Sequence, residues 1–357
     1  MAAWTPLPIV SAGVVCSVGL SAPAASAAIR ASLSRIKETY FVDDVDKPIF
    51  GAPVPSDRLR LPEDTSSLPV GGEDKLVRMF LLAATECLRG IGAVNLARTP
   101  LLLLGPESTR PGPSEDILQR RLASCEKALG RGLHAESRVT RTGRTGLVEA
   151  LARAHELLAG QAVQSVLVAG TDSLLDAEDI NDALAGERLR TSENSDGFIP
   201  GEGAACVLVA RAETGDRPGR SPRLTVTGLG AADEPDSWLA GRANVGRGLA
   251  QAMRQALEHA GVAAQTINYR LNDCSGESFF FDEAAYAWGR VLRSPSPPGH
   301  SQILVASSIG EIGSAAGPLM LALALDAARK GWAPGPSSLM HLSSSGNSRA
   351  ALVTVAS

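Results

Sequence analysis

The stretch 318–328 reads PLMLALALDAA and presents apolar side chains on nearly every face of a helix. A surface helix keeps one polar face, whereas a helix that is apolar all round is buried on every side. Sheets on both sides bury a helix in this way, an arrangement less common than a doubly wound sheet with solvated helices. The sequence therefore predicts an α/β protein in which helices are sandwiched between sheets.

Short apolar runs alternate along the chain with longer segments that have the helical period. The runs typical of strands are 9–15, 101–104, 166–168, 206–209, 224–227, 303–305 and 352–355. The segments typical of helices are 73–88, 147–158, 248–259 and 318–328. The stretch 213–222 (ETGDRPGRSP) is polar and rich in breakers, so we predict two halves, residues 1–216 and residues 217–357. Each half starts with a strand and a helix, which suggests a duplication, although no sequence identity between the halves is evident.

Composition excludes several classes of protein. Apolar residues make up 44% of the chain and charged residues 20%, which excludes a mainly disordered protein. The net charge of −4 and the aromatic content of 4% argue against nucleic-acid binding. The uncharged run 6–29 follows no Lys or Arg and is interrupted by Gly and Pro. We therefore predict a strand, a turn and a small-residue helix there, and neither a signal peptide nor a membrane span.

The cysteines and histidines show no pattern of a metal site or a disulfide framework. The five cysteines include no CxxC pair, so we expect buried free thiols in a reducing cytoplasm. The five histidines lack metal-ligand spacing, so we expect them at surface or capping positions. No phosphate-binding loop and no complete dinucleotide fingerprint occurs, and we expect neither a cofactor nor a metal.

Two segments carry a far more specific pattern. Residues 196–205 read DGFIPGEGAA, and residues 310–317 read GEIGSAAG directly before the apolar helix. They resemble the DGFxxGEGA and GHxxGAAG motifs of the β-ketoacyl synthases (3-oxoacyl-ACP synthases). The stretches 10–19, 139–170 and 347–355 resemble that family's opening strand, its nucleophile strand, elbow and helix, and its closing strand. The resemblance extends from about residue 8 to 355 and implies a thiolase-like fold, with two related α/β halves in αβαβα layers.

The resemblance also implies a mechanism, which this sequence contradicts residue by residue. In that family a Cys at the elbow takes the acyl chain as a thioester, while two histidines and a Lys assist decarboxylation of a malonyl unit. The corresponding positions here are Gly143 for the Cys, Asn272 and Glu311 for the histidines, and Ala306 for the Lys. Glycine has no nucleophile, and the carboxylate of Glu311 would repel a developing enolate. We therefore predict a catalytically inactive member that keeps its glycine motifs as scaffold.

The leading functional prediction is a scaffold or partner subunit linked to fatty acid or polyketide type acyl-chain synthesis. The resemblance implies a homodimer, or a heterodimer with an active ketosynthase as chain-length factors form, and an acyl carrier protein as a further partner. One alternative is an enzyme with rebuilt chemistry, which uses Cys274 or Glu311 on an acyl or carboxylate substrate. A carboxylate beside Cys274 raises the pKa of its thiol, however, and activates it poorly. Another alternative is a structural component of an unrelated bacterial assembly.

Five residues are candidates for the lining of the altered pocket: Arg144, Thr145, Asp273, Cys274 and Ser307. Arg144 lies at the start of helix 147–158, and two roles are open for it. It forms an anion site for a carboxylate, a phosphate or phosphopantetheine, or it pairs with Glu311 and plugs the acyl tunnel. Two further arginine pairs are Arg58 with Arg60 and Arg120 with Arg121. They are candidates for contact with an acidic carrier protein, and an ordinary solvated basic face explains them equally well.

Overall fold

The computed structural model describes residues 4–59, 70–89, 96–130, 132, 134–160, 162–211, 224–292 and 300–357. The strands are β1 (Leu7–Cys16), β2 (Lys37–Val42), β3 (Pro48–Gly51), β4 (Leu101–Leu104), β5 (Arg138–Thr140), β6 (Ser165–Ser173), β7 (Glu202–Ala210), β8 (Leu224–Asp233), β9 (Tyr269–Asn272), β10 (Ser301–Leu304), β11 (Ser337–Ser343) and β12 (Ser348–Ala356). The α-helices are α1 (Ala22–Arg30), α2 (Gly72–Leu88), α3 (Glu115–Ala128), α4 (Gly146–Ala159), α5 (Ala177–Ala185), α6 (Arg247–Ala260), α7 (Ser278–Leu292), α8 (Ala306–Ile309) and α9 (Ala316–Lys330).

The strand order repeats within the large sheet. Its ten strands run in the order β10-β9-β11-β12-β8-β1-β7-β6-β4-β5, and β2 with β3 forms a separate hairpin. If the strands that each half contributes to the sheet are numbered one to five along the chain, both halves have the same spatial order, 3-2-4-5-1. In the first half this order is β5-β4-β6-β7-β1, and in the second half it is β10-β9-β11-β12-β8. This repetition supports the duplication suggested by the sequence. The predicted boundary between residues 216 and 217, and the stretch 213–222 on which it rests, lie outside the described residues.

Three hydrophobic clusters separate the structure into layers. One joins α2 and α3 to one face of the first half's sheet, and another joins α6 and α7 to one face of the second half's sheet. The largest cluster lies between the two five-stranded halves of the sheet and contains apolar residues of α4 and α9. The layers therefore alternate as helix, sheet, helix, sheet and helix, which confirms the predicted αβαβα architecture.

Helix α9 occupies the centre of this arrangement. Every residue from Ala316 to Ala327 is buried, and the helix contacts β1, β6, β7 and β8. A helix whose whole surface is apolar is stable only where no side meets water. The stretch that most restricted the fold from sequence therefore lies where the prediction placed it.

Other predictions from the sequence have mixed outcomes. The uncharged run 6–29 folds as β1 and α1, as predicted, and all five cysteines are buried free thiols. Within the described ranges, none of the helices has the length and apolar character needed to cross a membrane. The same part of the chain contains no group of three or more His, Cys, Asp or Glu side chains arranged to hold a metal ion.

The prediction that the histidines lie at surface or capping positions is wrong for His341. This residue lies in β11 and is only 1% exposed. Burial, reinforced by the nearby charge of Arg270, lowers the pKa of the His341 imidazole to about 3. The side chain is therefore neutral inside the folded protein.

We expect His341 to make the folded state sensitive to acid. Its imidazole takes up a proton below about pH 6.5 in the unfolded chain but stays neutral to about pH 3 in the folded one. Because the unfolded state then binds more protons, stability falls as the pH is lowered through this window. The variant His341→Gln cannot titrate, so its Tm should decline less steeply than that of the wild type. Thermal unfolding of both proteins across the window checks this, and equal slopes would contradict it.

Candidate functional site

The elbow between β5 and α4 lacks space for a side chain at its central residue. A short 3-10 helix, Gly143–Thr145, leads into α4, and the hydroxyl of Thr145 donates to the Thr142 carbonyl at 2.8 Å. Gly143 has φ +59°, and a Cβ built on it would lie 2.3 Å from Cγ of Glu107. The side chain of Glu107 therefore fills the position beside the elbow that a nucleophile would need.

Arg144 is surrounded by carboxylates. Its Nη1 lies 2.6 Å from Oε2 of Glu311 and 3.5 Å from Oδ2 of Asp273, and its Nε lies 3.9 Å from Oε1 of Glu107. Burial alone would lower the pKa of Arg144, but these carboxylates, Glu311 foremost, hold it above its ordinary value. The predicted pairing of Arg144 with Glu311 is therefore present, and the guanidinium is already occupied by groups of its own chain.

Glu311 is held by the two motif segments that the sequence singled out. Its backbone N–H donates to the Ile199 carbonyl, and its carbonyl accepts from the N–H of Gly201, both at 2.8 Å. Its Oε1 accepts from the N–H of Gly313 at 2.8 Å. A Cβ on Gly201 would lie 2.4 Å from the Ile309 carbonyl oxygen, so only glycine permits this close approach. These contacts agree with the prediction that the motif glycines serve as scaffold.

Asp273, and not Asn272, supplies the contact with Arg144. Strand β9 ends at Asn272, whose side-chain oxygen accepts from the Cys274 N–H at 3.2 Å. Asp273 follows directly, and burial raises the pKa of its carboxyl to about 7, although Arg144 acts in the opposite direction. The resemblance places a histidine of the family at Asn272, and in this structure it is the next residue, Asp273, that contacts Arg144.

The remaining candidates lie outside the cluster of charges around Arg144. Cys274 is buried in the outer cluster of the second half, and burial followed by the charge of Asp273 raises its thiol pKa well above the usual value. Ala306 begins α8, and the exposed Ser307 next to it donates its hydroxyl to the Leu304 carbonyl at 2.7 Å. The predicted pocket therefore reduces to Arg144, Asp273 and Glu311, with Thr145 supporting the elbow.

Comparison with known proteins shows which solved structures share this fold. No protein-family model and no curated protein matches the sequence. One chain from the structure of a type II polyketide synthase acyl carrier protein in complex with its ketosynthase bound to the hexaketide superposes with a TM-score of 0.77 and 16% identity, over 98% of each chain. A ketosynthase with its chain length factor from Xenorhabdus doucetiae gives a TM-score of 0.71 and 15% identity, over 99% of this chain and 100% of that one. The chain has the ketosynthase fold.

A third ketosynthase structure extends this agreement. The oxazolomycin ketosynthase domain from Streptomyces albus JA3453 has a TM-score of 0.74 and 17% identity, over 99% of this chain and 76% of that domain. The thiolase-like architecture implied by the sequence motifs is thereby confirmed. Identity at this level establishes the fold, so what this ketosynthase-like protein does must be argued from its own residues.

Sequence reasoning missed a second arginine close to this cluster of charges. Arg188 makes a bidentate ion pair with Glu277, with Nε–Oε1 and Nη2–Oε2 distances of 2.8 and 2.9 Å. Its Nη1 donates to the Ser345 hydroxyl at 2.8 Å, and its guanidinium lies 5.2 Å from the ring centre of Trp238. Glu277 lies a few residues after Asn272, which the resemblance had marked, and this was a usable signal, whereas nothing in the sequence pointed to Arg188.

The carboxylates also hold the loop between β11 and β12. Oδ2 of Asp273 accepts from the Ser343 N–H at 3.0 Å, and Oε2 of Glu107 accepts from the Ser345 N–H at 3.1 Å. Burial, against the effect of Arg144, raises the pKa of Glu107. The arrangement can exchange protons and fix a loop, but it contains no thiol or amine that could carry an acyl group.

A cavity of about 1340 Å³ lies elsewhere, between the β2–β3 hairpin and the N-terminal ends of α2 and α3. Its buried charges are paired, since Lys75 contacts Glu202 and Arg121 contacts Glu73 at 2.6 Å. The suggestion that Arg121 serves partner contact is therefore wrong, because its side chain is only 5% exposed. Arg58 is exposed, and Arg60 lies outside the described residues.

We expect that a thiol introduced at the elbow will not restore an acyl-enzyme. In Gly143→Cys the added Cβ meets Glu107, and the positive φ disfavours any side chain, so the variant should lose about 1–3 kcal/mol of stability. Removal of the clash in Gly143→Cys/Glu107→Ala should recover part of this loss without acylation, because Arg144 and Glu311 remain. Thermal unfolding and intact-mass spectrometry after incubation with an acyl thioester measure both effects. An acyl adduct on either variant would contradict the expectation.

Proposed function

We propose that this ketosynthase-like protein is catalytically inactive and acts as a partner subunit of an active, Cys-bearing ketosynthase in acyl-chain synthesis. The observation that carries the proposal is the ion pair of Arg144 with Glu311 next to Gly143. The position of the nucleophile has no side chain, and the groups beside it are committed to each other.

The chemistry of the site supports inactivity. Condensation needs a nucleophile to hold the growing chain and positive or neutral donors to stabilise an enolate. Here Glu311 and Asp273 present carboxylates, and the cation of Arg144 is already neutralised by them. Loss of one member of a catalytic set removes most of the rate, so loss of all of them leaves no condensation to expect.

The comparisons support the choice of partner. Of the compared structures, one is a ketosynthase in complex with its chain length factor, and another is a ketosynthase in complex with its acyl carrier protein. A chain with the same fold but no nucleophile suits the non-catalytic place in such a pair. An acyl carrier protein would then deliver its substrate to the partner's thiol, while exposed arginines such as Arg58 and Arg120 attract its acidic surface.

Affinity purification of the tagged full chain from its source cells tests the proposal. We expect a one-to-one complex with a Cys-bearing ketosynthase, identified by mass spectrometry and by native mass. The complex should condense acyl and malonyl thioesters, whereas this chain alone should neither condense nor decarboxylate them. A homodimer without any ketosynthase would overturn the partner role, and decarboxylation by the isolated chain that is lost in Asp273→Asn would overturn inactivity.

The filled site favours one second function, a structural role in an unrelated bacterial assembly that uses only the scaffold. In that role Arg144 and Glu311 simply stabilise the interior, and no open acyl tunnel is needed. Co-purification with proteins that are neither ketosynthases nor carrier proteins would assign this role. The rebuilt-enzyme alternative that uses Cys274 is disfavoured, because burial and Asp273 both raise the pKa of its thiol.

A further inference from the structure

The outer face of the second half's sheet carries a row of polar side chains beneath α6 and α7. Arg270 and Asn272 are two residues apart in β9 and so point to the same face. His341 in β11 is paired with Asn272 in the parallel ladder, and its side chain therefore stands beside that of Asn272. Asn272 is about 5–7 Å from each of the other two at the backbone, and Arg270 and His341 are diagonal neighbours at about 7–8 Å, a span that a long arginine side chain can bridge to one small ligand.

Arg270 is a buried cation without a counter-charge. It is only 9% exposed, its Nε donates to Nε2 of His300 at 3.2 Å, and its Nη2 donates to the Gln302 side chain at 3.1 Å. No carboxylate of the described part of the chain forms an ion pair with it, and its Nη1 has no hydrogen-bond partner there. Burial lowers the pKa of its guanidinium to about 10. A buried charge is costly to keep unless an opposite charge compensates it.

The other interior arginines behave differently. Arg110, Arg144 and Arg349 each contact at least one buried carboxylate at 2.9 Å or closer. In these cases the chain supplies the negative charge. At Arg270 the chain supplies neutral acceptors only, which indicates that the negative charge comes from outside.

Its two neighbours offer unpaired polar atoms on the same face. Asn272 is fully buried, and its side-chain N–H₂ has no partner among the described residues. His341 is 1% exposed, and neither ring nitrogen has a partner there. A neutral imidazole carries one N–H, so the three residues together present donors from a guanidinium, an amide and an imidazole. Buried donors of this kind are normally satisfied, and an unsatisfied one lowers the stability of the folded protein.

We propose that Arg270, Asn272 and His341 form a binding site for a small monovalent inorganic anion such as chloride. The anion supplies the charge that Arg270 lacks and accepts from the unpaired N–H groups. The surroundings are apolar, since the ring of Trp288 lies 4.7 Å from the Arg270 guanidinium and Leu339 and Cys274 belong to the same cluster. Such surroundings favour weakly hydrated anions, bromide and nitrate included, over fluoride. This site is separate from the cluster around Arg144 and does not depend on the proposed function.

Bromide titration of the full chain at constant ionic strength, balanced with sodium gluconate, tests the site. We expect a saturable rise in Tm for the wild type and for the control Arg58→Gln, which alters an exposed arginine of the first half. In Arg270→Gln the rise should disappear. Crystals soaked in bromide should show an anomalous peak in contact with Nη1 of Arg270.

The variant Asn272→Asp tests the anion site in a protein that is expected to fold normally. A carboxylate at this position supplies the missing negative charge from the chain itself, so the protein should fold and its Tm should no longer respond to bromide. A bromide response in Asn272→Asp equal to that of the wild type would overturn the proposal. Absence of a saturable response in the wild type, or a crystal with no bromide at Arg270, would overturn it as well.

Discussion

Replacement of Arg144 by methionine is expected to lower the free energy of unfolding by about 3–5 kcal/mol, because it leaves buried carboxylates without their cation. Glu311 and Asp273 are 3% and 4% exposed, so water cannot take the place of the guanidinium. Methionine retains most of the buried volume of arginine, so the loss of unfolding free energy reflects the missing charge more than a change in packing.

The loss in Arg144→Met should grow with pH. The pKa of Asp273 is already raised to about 7 in the wild type, and without Arg144 it rises further. A carboxyl that is protonated in the folded protein but ionised in the unfolded chain makes stability fall as the pH rises from the unfolded pKa near 3.8 towards the folded pKa. Wild type and variant share this fall up to about pH 7, where the wild-type carboxyl ionises in the folded state. Above that pH only the variant continues to lose stability, so the difference between the two proteins opens there.

Denaturant unfolding of three proteins below and above pH 7 measures this effect. The compensating double variant Arg144→Met/Glu311→Gln removes one of the unpaired charges and should recover part of the loss at neutral pH. Equal losses below and above pH 7 would contradict the electrostatic account. So would a double variant less stable than Arg144→Met, since the two residues would then contribute independently.

Much of the fold follows from patterns that local physics imposes. Helix α9 is apolar on every face and admits only a central position, and β4 is a run of four leucines whose limits match the prediction. Helices α2, α4 and α6 extend only one residue beyond each predicted segment at their first ends. In these segments the period of the apolar residues agrees with the burial pattern, so the sequence alone is enough to predict the element and its limits.

The elements that sequence patterns missed are those stabilised by distant partners. Strand β11 reads SSLMHLS, which is too polar to be typical of a buried strand, yet nearly all of it is buried. Ser338 is satisfied by a hydrogen bond to Thr354 across the ladder at 2.7 Å. Whether such a segment can be buried depends on the strand beside it, which local sequence does not specify.

The same reasoning explains the outcome at the site. The pairing of Arg144 with Glu311 was foreseeable, because a buried arginine needs a partner and the family resemblance brings these positions together. Glu107 and Arg188 come from other loops, and their proximity arises only from the order of the strands. Asp273 and not Asn272 contacts Arg144 because adjacent residues of an extended chain face opposite sides of the sheet, which the sequence alone does not assign.

Replacement of Glu283 by glutamine is the second change with a large expected effect. Glu283 and Arg349 are both fully buried, with Arg349 Nε 2.7 Å from Oε1 of Glu283. The carboxylate also accepts from the Asn244 amide and the Ser343 hydroxyl, both at 2.6 Å. Glutamine keeps the shape but leaves the Arg349 charge uncompensated, with backbone carbonyls as its remaining partners. We expect a loss of about 3–5 kcal/mol in the free energy of unfolding.

An ion pair of similar length whose cation is exposed to water gives the matched control for Glu283→Gln. Lys330 lies 2.9 Å from Asp326, but its side chain is 48% exposed, so Lys330→Met should cost less than about 1 kcal/mol. Both ion pairs are short, and they differ mainly in access to water. Denaturant unfolding of both variants therefore separates the effect of burial from that of distance. Equal losses would contradict the argument, because desolvation would then have no part in the stability of the Glu283–Arg349 pair.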